Sequence, residues 1–193
     1  MLAALAEALA DQPESIRSLA PRLLQHWQLV CHWNARTNLT SIRQDQDAAW
    51  LHYRDSLELV RFLDAGPILD VGSGAGFPGI PIAMALPDCE VTLLEPRRKR
   101  ASFLRTAKAR LHLDNVRVLQ GASTDTPDKL YAAVVSRATF SADADVQHCL
   151  TWLKPEGRLI AMRSEAAASI GAERHPYTLG QKQRFLDIWQ AGG

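Results

Sequence analysis

The chain has 193 residues, of which 47% are hydrophobic and 22% are charged. This length and composition fit one folded domain with a small helical extension, and they exclude a disordered chain. The net charge is only +1, which excludes a protein that binds polyanions over its whole surface, so any nucleic-acid site requires local segregation of charge.

Neither membrane association nor a metal centre is expected from the sequence. No apolar run approaches the length of a membrane span. Residues 1–9 are apolar but lack a basic start, which is typical of an amphipathic helix and not of a signal peptide. Cys31, Cys89 and Cys149 are too far apart to indicate a metal site or a disulfide framework. We therefore predict a cytoplasmic protein without a bound metal.

Residues 1–64 are predicted to form an N-terminal helical cap. Apolar residues recur there at spacings of three and four, as one buried helical face requires. These residues are Leu19, Leu23, Leu24, Trp27, Val30 and Cys31. The polar stretch 38–41 ends the pattern, and a further helix is predicted from about Gln46 to Leu63.

Residues 65–193 alternate between short apolar runs and helical segments. Predicted strands are Ile68–Val71, Glu90–Leu94, Val116–Gln120, Ala132–Ser136, Arg158–Met162 and, near the C-terminus, Phe185–Trp189. Predicted helices are Gly79–Leu86, Arg98–Leu111, Ala142–Leu153 and Ser164–Gly171. Strands this apolar are buried on both faces, which indicates a mostly parallel sheet flanked by helices. We predict an α/β, Rossmann-like core in one compact unit.

The glycine-rich turn after the first strand is the most informative motif. Asp70 ends the apolar run, and Gly72, Gly74 and Gly76 follow it. In such a turn the backbone passes close to a ligand, and the next helix start offers N–H groups to a carboxylate. A dinucleotide fingerprint would need glycine at position 77, where Phe77 stands. The spacing looks more like the S-adenosylmethionine (SAM) site of a class I methyltransferase.

Residues after the second and third strands are further candidates for cofactor binding. Glu95 ends the second strand, where a carboxylate can accept hydrogen bonds from a ribose diol; pairing with Arg97 or Arg98 is the alternative. Ser123 and Thr124 follow the third strand, where they would flank an adenine or cap a short helix.

The end of the fourth strand limits the type of methyl acceptor. The segment 136–138 lacks the Asp/Asn-Pro-Pro-aromatic motif of exocyclic-amine methyltransferases, and no cysteine stands there for attack on a cytosine ring. An acceptor with its own lone pair remains, such as N7 of guanine, which has no proton to remove. Arg137 is predicted to hold the guanine O6 edge or a phosphate, with a local salt bridge as the alternative.

Two further features remain open from the residues alone. A basic helix carries Arg97, Arg98, Lys99, Arg100, Arg105, Lys108 and Arg110. Like charges at these spacings repel, which favours an anionic partner, although a solvated helix face is the usual explanation. His52 stands in the predicted helix before the sheet, where a histidine is structural or contacts substrate.

Several motifs occur together in one order, over about residues 24–163. They are Trp33-Asn34, Asn38-Leu39-Thr40-Ser41, His52-x-x-Asp55-Ser56, the segment 70–81, Lys99-Arg100-x-x-Phe103-Leu104 and Ser136-Arg137-Ala138. Together they resemble the ribosomal RNA small subunit methyltransferase G family, also called glucose-inhibited division protein B. The resemblance implies a class I methyltransferase fold with an N-terminal helical cap, and methyl transfer from SAM to N7 of a guanine in 16S rRNA.

The resemblance also implies roles for single residues. Positions that contact SAM in the family match Gly72, Phe77, Ser123, Thr124 and Arg137. Arg163 stands where the family usually has lysine near the substrate, and Arg184 matches a basic residue of its C-terminal segment. We expect His52, Arg137, Arg163 and Arg184 to face RNA, with 16S rRNA or a small-subunit particle as partner and a monomeric enzyme.

Two alternatives stay open at this point. One is a SAM-dependent methyltransferase of small molecules, which would need a closed acceptor pocket. The other is a SAM-binding module without turnover, because transfer to N7 needs no diagnostic base in the sequence. A continuous basic path to the glycine-rich turn would favour RNA.

Overall fold

The computed structural model describes residues 1–122, 129–137, 143–164 and 169–192. Its centre is a seven-stranded sheet with the order β3-β2-β1-β4-β5-β7-β6. The strands are β1 (Ile68–Val71), β2 (Val91–Leu94), β3 (Val116–Leu119), β4 (Tyr131–Arg137), β5 (Leu153–Arg163), β6 (Glu173–Leu179) and β7 (Lys182–Gln190). Strands β1 to β5 pair in parallel, and β7 is antiparallel to both neighbours. The predicted mostly parallel sheet is confirmed.

The strand order creates a topological switch point between β1 and β4. The chain leaves β1 towards β2 and β3 and then returns to its other side as β4. Ligands of open α/β sheets bind at the carboxyl ends of the strands beside such a point. The glycine-rich turn follows β1, Glu95 follows β2, and Arg137 and Arg163 end β4 and β5. These predicted site residues therefore all lie at the carboxyl ends of the parallel strands.

Helices cover this sheet. They are α1 (Leu2–Ala8), α2 (Glu14–Arg17), α3 (Ala20–Thr37), α4 (Asp45–Ala48), α5 (Asp55–Leu57), α6 (Gly79–Ala85), α7 (Arg98–Arg110) and α8 (Asp143–Leu150). The helix predicted over residues 46–63 is irregular, because a π-helical segment, Ala49–Arg54, separates α4 from α5, and a 3-10 segment, Glu58–Phe62, follows. Single π turns often occur at functional sites, and this one carries His52.

The N-terminal helices and one face of the sheet share a hydrophobic core. Leu5, Leu23 and Tyr53 of the helices belong to the same buried cluster as Leu93 and Val135 of the sheet. The opposite face packs against α8 in a second cluster. The division into a cap over 1–64 and a core over 65–193 stays a prediction.

Three details differ from the sequence-based expectations. On α3, Cys31 is exposed, and His26 and Asn34 turn inward instead, each with polar partners. Strand β6 was not predicted, because it is short of apolar residues and contains Pro176, which suits an edge strand. In the helix predicted over 164–171, residues 164 and 169–171 are not helical, and residues 165–168 lie outside the described part.

Candidate active site

The glycine-rich turn after β1 has the backbone that its sequence predicts. The φ angles of Gly72, Gly74 and Gly76 are 75°, 55° and 89°, which is the region that favours glycine. A Cβ atom on Gly74 would meet nothing closer than 3.8 Å, whereas one on Gly76 would overlap the Ile80 side chain. Gly74 therefore faces open space where a ligand can approach, and Gly76 is required for packing.

Glu95 is buried and tied to this turn. Its Oε2 atom accepts a hydrogen bond of 2.9 Å from the Gly74 N–H, and its Oε1 atom accepts one of 2.9 Å from the Arg97 N–H. Backbone groups, and not the arginine side chains considered above, therefore hold the carboxylate. This places the acid directly beside the open face of the turn.

Asp70 lies under the turn and connects it to α6. Its Oδ2 atom accepts a hydrogen bond of 3.0 Å from the Gly79 N–H, while its Oδ1 atom has no partner among the described residues. Burial raises the pKa of Asp70 to about 7, although the hydrogen bond from the Gly79 N–H and the charge of Arg137 oppose this rise. The helix start was expected to offer free N–H groups, but the N–H groups of Gly79 and Ile80 are already bonded inside the protein.

A buried histidine of the cap fixes the other side of the turn. Nε2 of His26 lies 3.0 Å from the Ala75 carbonyl oxygen, which can only accept, so Nε2 carries the proton. Nδ1 accepts a hydrogen bond of 3.1 Å from the Tyr53 hydroxyl. Burial lowers the pKa of His26 to about 3, so the ring is neutral at physiological pH. Helix α3 thus holds the turn through one defined tautomer of His26.

A second buried histidine holds Arg137 at the end of β4. Nη2 of Arg137 donates a hydrogen bond of 3.1 Å to Nδ1 of His52, and Nη1 donates one of 2.9 Å to the Leu51 carbonyl. A guanidinium can only donate, so Nδ1 of His52 is the unprotonated nitrogen and Nε2 carries the proton. Nε2 therefore donates a hydrogen bond of 2.9 Å to Thr40 Oγ1. Burial, with the Arg137 charge, lowers the pKa of His52 to about 3.

Phe77 lies beneath these two residues and is itself buried. The Arg137 guanidinium stands 5.2 Å from the centre of the Phe77 ring, within the range of a cation–π contact. The ring also contacts His26 and Tyr53, with centroids 5.0 and 5.1 Å apart. Phe77 therefore supports Arg137 from the side of the glycine-rich turn, and the contact with SAM implied by the resemblance stays a prediction.

An open cleft of about 300 Å³ lies next to Arg137. All four residues expected to face RNA line it, namely His52, Arg137, Arg163 and Arg184. Asp55 and Tyr177 form part of its wall, joined by a hydrogen bond of 2.6 Å. Burial raises the pKa of Asp55, although the Tyr177 hydrogen bond and the charges of Arg137 and Arg184 oppose this rise.

Comparison with known proteins identifies the family. Residues 20–186 match the model of the rRNA small subunit methyltransferase G family. The ribosomal RNA small subunit methyltransferase G of Methylobacillus flagellatus is 37% identical over 145 residues, which cover 75% of this chain and 71% of that protein. Its counterpart from Nitrosomonas europaea is 38% identical over 171 residues, with 82% and 76% covered. The chain belongs to the rRNA small subunit methyltransferase G family. The family resemblance in the sequence is confirmed.

The fold of this methyltransferase G family member is also found in solved structures. The crystal structure of a SAM-dependent methyltransferase from Aquifex aeolicus matches with a TM-score of 0.60 at 17% identity, covering 76% of this chain and 94% of that chain. At this identity the match establishes the fold, which is the predicted class I methyltransferase architecture. Among the described residues, no helix is long and apolar enough to cross a membrane. The same residues contain no cluster of His, Cys, Asp and Glu that could hold a metal ion.

The residues at the ends of β1 and β2 fit SAM. Gly74 leaves room for a close approach, and Glu95 presents a carboxylate beside it. The unpartnered Oδ1 atom of Asp70, buried below the turn, is an acceptor suited to a ligand that carries positive charge. The predicted adenine-flanking residues, Ser123 and Thr124, lie outside the described residues.

The roles of His26, Tyr53 and Tyr177 were not predicted from the sequence, and Asp55 was predicted only as part of a motif. His26 occupies an apolar helical face at the same spacing as Leu23 and Val30, and a polar residue in such a position signals a buried hydrogen bond. Tyr177 carries no comparable signal, because its partner Asp55 is 122 residues away in sequence.

Proposed function

We propose that this protein transfers a methyl group from SAM to N7 of a guanine in the 16S rRNA of the small ribosomal subunit. The single observation that carries the proposal is the open cleft lined by three arginines, one of which, Arg137, stands over the Phe77 ring of the glycine-rich turn. An open cationic cleft suits an RNA substrate better than a free small molecule, for which an enclosed pocket would be expected.

Residues at the carboxyl ends of β1 to β4 are proposed to hold the cofactor. Gly72, Gly74 and Gly76 with Phe77 form the turn around it, and Glu95 accepts hydrogen bonds from its ribose diol. Ser123 and Thr124 flank the adenine, and Arg137 closes the site towards the cleft. When bound, SAM supplies an electrophilic methyl group on a sulfonium sulfur.

The chemistry requires positioning and no protein base. The N7 lone pair forms the new N–C bond while the C–S bond breaks, its electron pair stays on sulfur, and the positive charge passes to the guanine ring. His52 takes no part as a base, because its Nδ1 lone pair already accepts a hydrogen bond from Arg137. The protein lowers the barrier by aligning N7 with the methyl group and by tolerating the new cation.

RNA binding is proposed to use Arg137, Arg163, Arg184 and the first turn of α7. Arg98 and Lys99 are exposed at the positive end of the helix dipole, where cations cost about 0.3–1 kcal/mol each. Neither has an ion-pair partner within the part of the chain that the structure describes. Arg100 links this turn to the cap by donating a hydrogen bond of 3.1 Å to the Asn38 carbonyl. An anionic partner would offset this accumulation of charge.

We also propose that the protein is cytoplasmic and monomeric. Cys31, Cys89 and Cys149 are all free thiols, which suits the reducing cytoplasm where ribosomes are assembled. Three large hydrophobic side chains are well exposed among the described residues, and they lie far apart in the sequence: Leu2 in α1, Leu130 before β4 and Ile170 before β6. Scattered apolar residues do not form the patch that an obligate oligomer needs, so we propose a monomer.

The decisive experiment is transfer of tritiated methyl from SAM to 16S rRNA that lacks its own modifications. Nucleoside analysis should find the label in 7-methylguanosine, with naked rRNA and the small-subunit particle tested in parallel. Label on a small molecule would instead favour the small-molecule methyltransferase. Tight SAM binding without transfer to any acceptor would favour the non-catalytic SAM-binding module.

A further inference from the structure

The cleft beside Arg137 contains one acidic side chain among the described residues that line it, Asp55. Oδ1 of Asp55 accepts the hydrogen bond from Tyr177, whereas Oδ2 lies 3.9 Å from Nη1 of Arg137 and accepts no hydrogen bond within the described residues. The side chain keeps 9% of its surface exposed. Oδ2 therefore keeps its full acceptor capacity and Oδ1 keeps a second acceptor site, so the carboxylate can accept two hydrogen bonds from a ligand in the cleft.

Tyr177 fixes the direction of this carboxylate. Burial, with the negative charge of Asp55, raises the pKa of Tyr177, so its hydroxyl remains protonated and donates. The hydrogen bond is short, at 2.6 Å, as expected for a bond to an ionised acceptor. Asp55 is thus held in one orientation, which is the condition for reading the edge of a base.

The hydrogen bond from Tyr177 holds the Asp55 carboxylate on the β6 side of Arg137, and the cofactor turns lie on the other side of Arg137. Those turns follow β1 and β2, whereas Tyr177 belongs to β6, beyond β4 and β5 in the sheet. Arg137, at the end of β4, stands between them. Guanine has a matching arrangement of groups. N7 lies at one end of the ring system, the N1–H and 2-amino donors lie at the other, and O6 lies between.

We infer that Asp55 reads the Watson–Crick edge of the target guanine by accepting hydrogen bonds from its N1–H and 2-amino groups while N7 faces the methyl donor. This inference rests on the proposed function, and it makes Asp55 the residue that determines base specificity. Adenine would present the N1 lone pair to the carboxylate, and two facing acceptors repel each other. The carboxylate also offsets part of the positive charge that the ring gains, in a cleft whose other charged side chains, among the described lining residues, are three arginines.

Replacing the target guanosine by inosine tests this directly, because inosine lacks only the 2-amino group. The target nucleotide is first mapped with the wild-type enzyme, and substrate RNAs with guanosine or inosine at that position are then methylated under single-turnover conditions. The wild-type enzyme should react at least about tenfold more slowly with inosine, since a hydrogen bond to a charged group is lost. Equal rates would overturn the inference.

Asp55→Asn assigns the discrimination to this residue. The amide keeps an oxygen for the Tyr177 hydroxyl but can place a donor against the guanine donors, so the guanosine rate should fall and the ratio of the two rates should approach one. Guanosine and inosine can differ in the intrinsic reactivity of N7. This difference cancels when the ratio of the guanosine rate to the inosine rate is compared between the wild type and Asp55→Asn. A merely structural role would slow both substrates equally, and a wild-type ratio in Asp55→Asn would overturn the inference.

Asp64→Asn is the matched control, because Asp64 is an exposed aspartate that pairs with Arg158 away from the cleft. It should keep the wild-type ratio. The proposed function fails separately, if the wild-type enzyme methylates no guanine of 16S rRNA. If it methylates guanosine and inosine equally well, the function stands and only the assignment of Asp55 fails.

Discussion

The imidazole of His52 lies flat on the ring of Phe77, with centroids 4.3 Å apart and planes inclined by 11°. Phe77 belongs to the glycine-rich turn, and His52 belongs to the cap. The same imidazole accepts the hydrogen bond from Arg137 at the cleft. One side chain therefore connects the proposed cofactor turn to the proposed acceptor cleft, and it does so as a neutral ring with both nitrogen atoms engaged.

The first prediction is a flat pH profile for the chemical step. His52 is neutral above about pH 4 because its pKa lies near 3, and N7 of guanine has no proton to lose. With the enzyme saturated with SAM, the titration of Asp70 near pH 7 bears on cofactor affinity and not on the chemical step. The single-turnover rate should therefore vary little between about pH 6 and pH 8.5, a range that spans the ordinary histidine pKa. His52→Gln should weaken RNA docking or folding more than this rate. A loss of rate near pH 6.5 that disappears in His52→Gln would show that a base is needed.

The second prediction concerns stability against pH, measured by urea unfolding. His52 has a folded pKa of about 3 instead of 6.5, so the unfolded chain binds the extra proton and stability falls as the pH falls through this window. Asp70 has a folded pKa of about 7 instead of 3.8, so the folded chain binds the extra proton and stability falls as the pH rises. Each group contributes a slope of about 1.4 kcal/mol per pH unit, with opposite sign.

Two variants separate these contributions between about pH 4.5 and pH 6. His52→Gln should reduce the loss of stability on acidification by about 1.4 kcal/mol per pH unit, and Asp70→Asn should increase it by a similar amount. Slopes that match the wild type in both variants would mean that neither group has the shifted pKa.

The third prediction tests the cofactor turn. Gly74→Val should abolish SAM binding, because its side chain would enter the space left open beside Glu95. Gly180→Val is the matched control, since Gly180 has a similar φ of 60°, would have nothing within 4 Å of an added Cβ atom, and lies in the β6–β7 turn. Both variants bear a strain of about 1–2 kcal/mol. Calorimetry on folded Gly74→Val protein with wild-type SAM affinity would contradict the proposed site.

The fourth prediction tests the basic first turn of α7. The double variant Arg98→Glu/Lys99→Glu should weaken rRNA binding. It should also make the slope of log K against log salt concentration shallower by about 1–2. Its thermal stability should hold or rise, because acids suit the start of a helix. The control Lys129→Glu/Lys154→Glu makes the same change in net charge at the start of β4 and β5, the opposite edge of the sheet. Equal losses of affinity in both double variants would mean that only net charge matters.

The helices and strands were predicted from the sequence more accurately than the contacts that form the candidate active site. Strand β1 and the turn after it follow from a local pattern, an apolar run that meets glycines, and the structure has β1 with the predicted bounds. The site depends on contacts between distant segments, which no local spacing encodes: Tyr177 with Asp55 at the cleft, and His26 with Ala75 at the glycine-rich turn. Strand β6 was missed for a related reason, because its pairing with β7 stabilises a segment that contains Pro176.

The last prediction concerns Arg137, which faces both proposed ligands. Arg137→Ala removes the donors to His52 and Leu51 and uncovers the Phe77 ring. We expect both SAM affinity and the rate of methyl transfer to fall by about tenfold to a hundredfold, as for other hydrogen bonds of a charged group. Arg137→Lys keeps the charge but loses the planar guanidinium that donates to His52 and Leu51 at the same time. Compared with Arg137→Ala, it should therefore restore RNA affinity more than the transfer rate. Loss of transfer with unchanged SAM affinity would assign Arg137 to RNA alone. Near-normal affinity and rate in Arg137→Ala would remove it from the site.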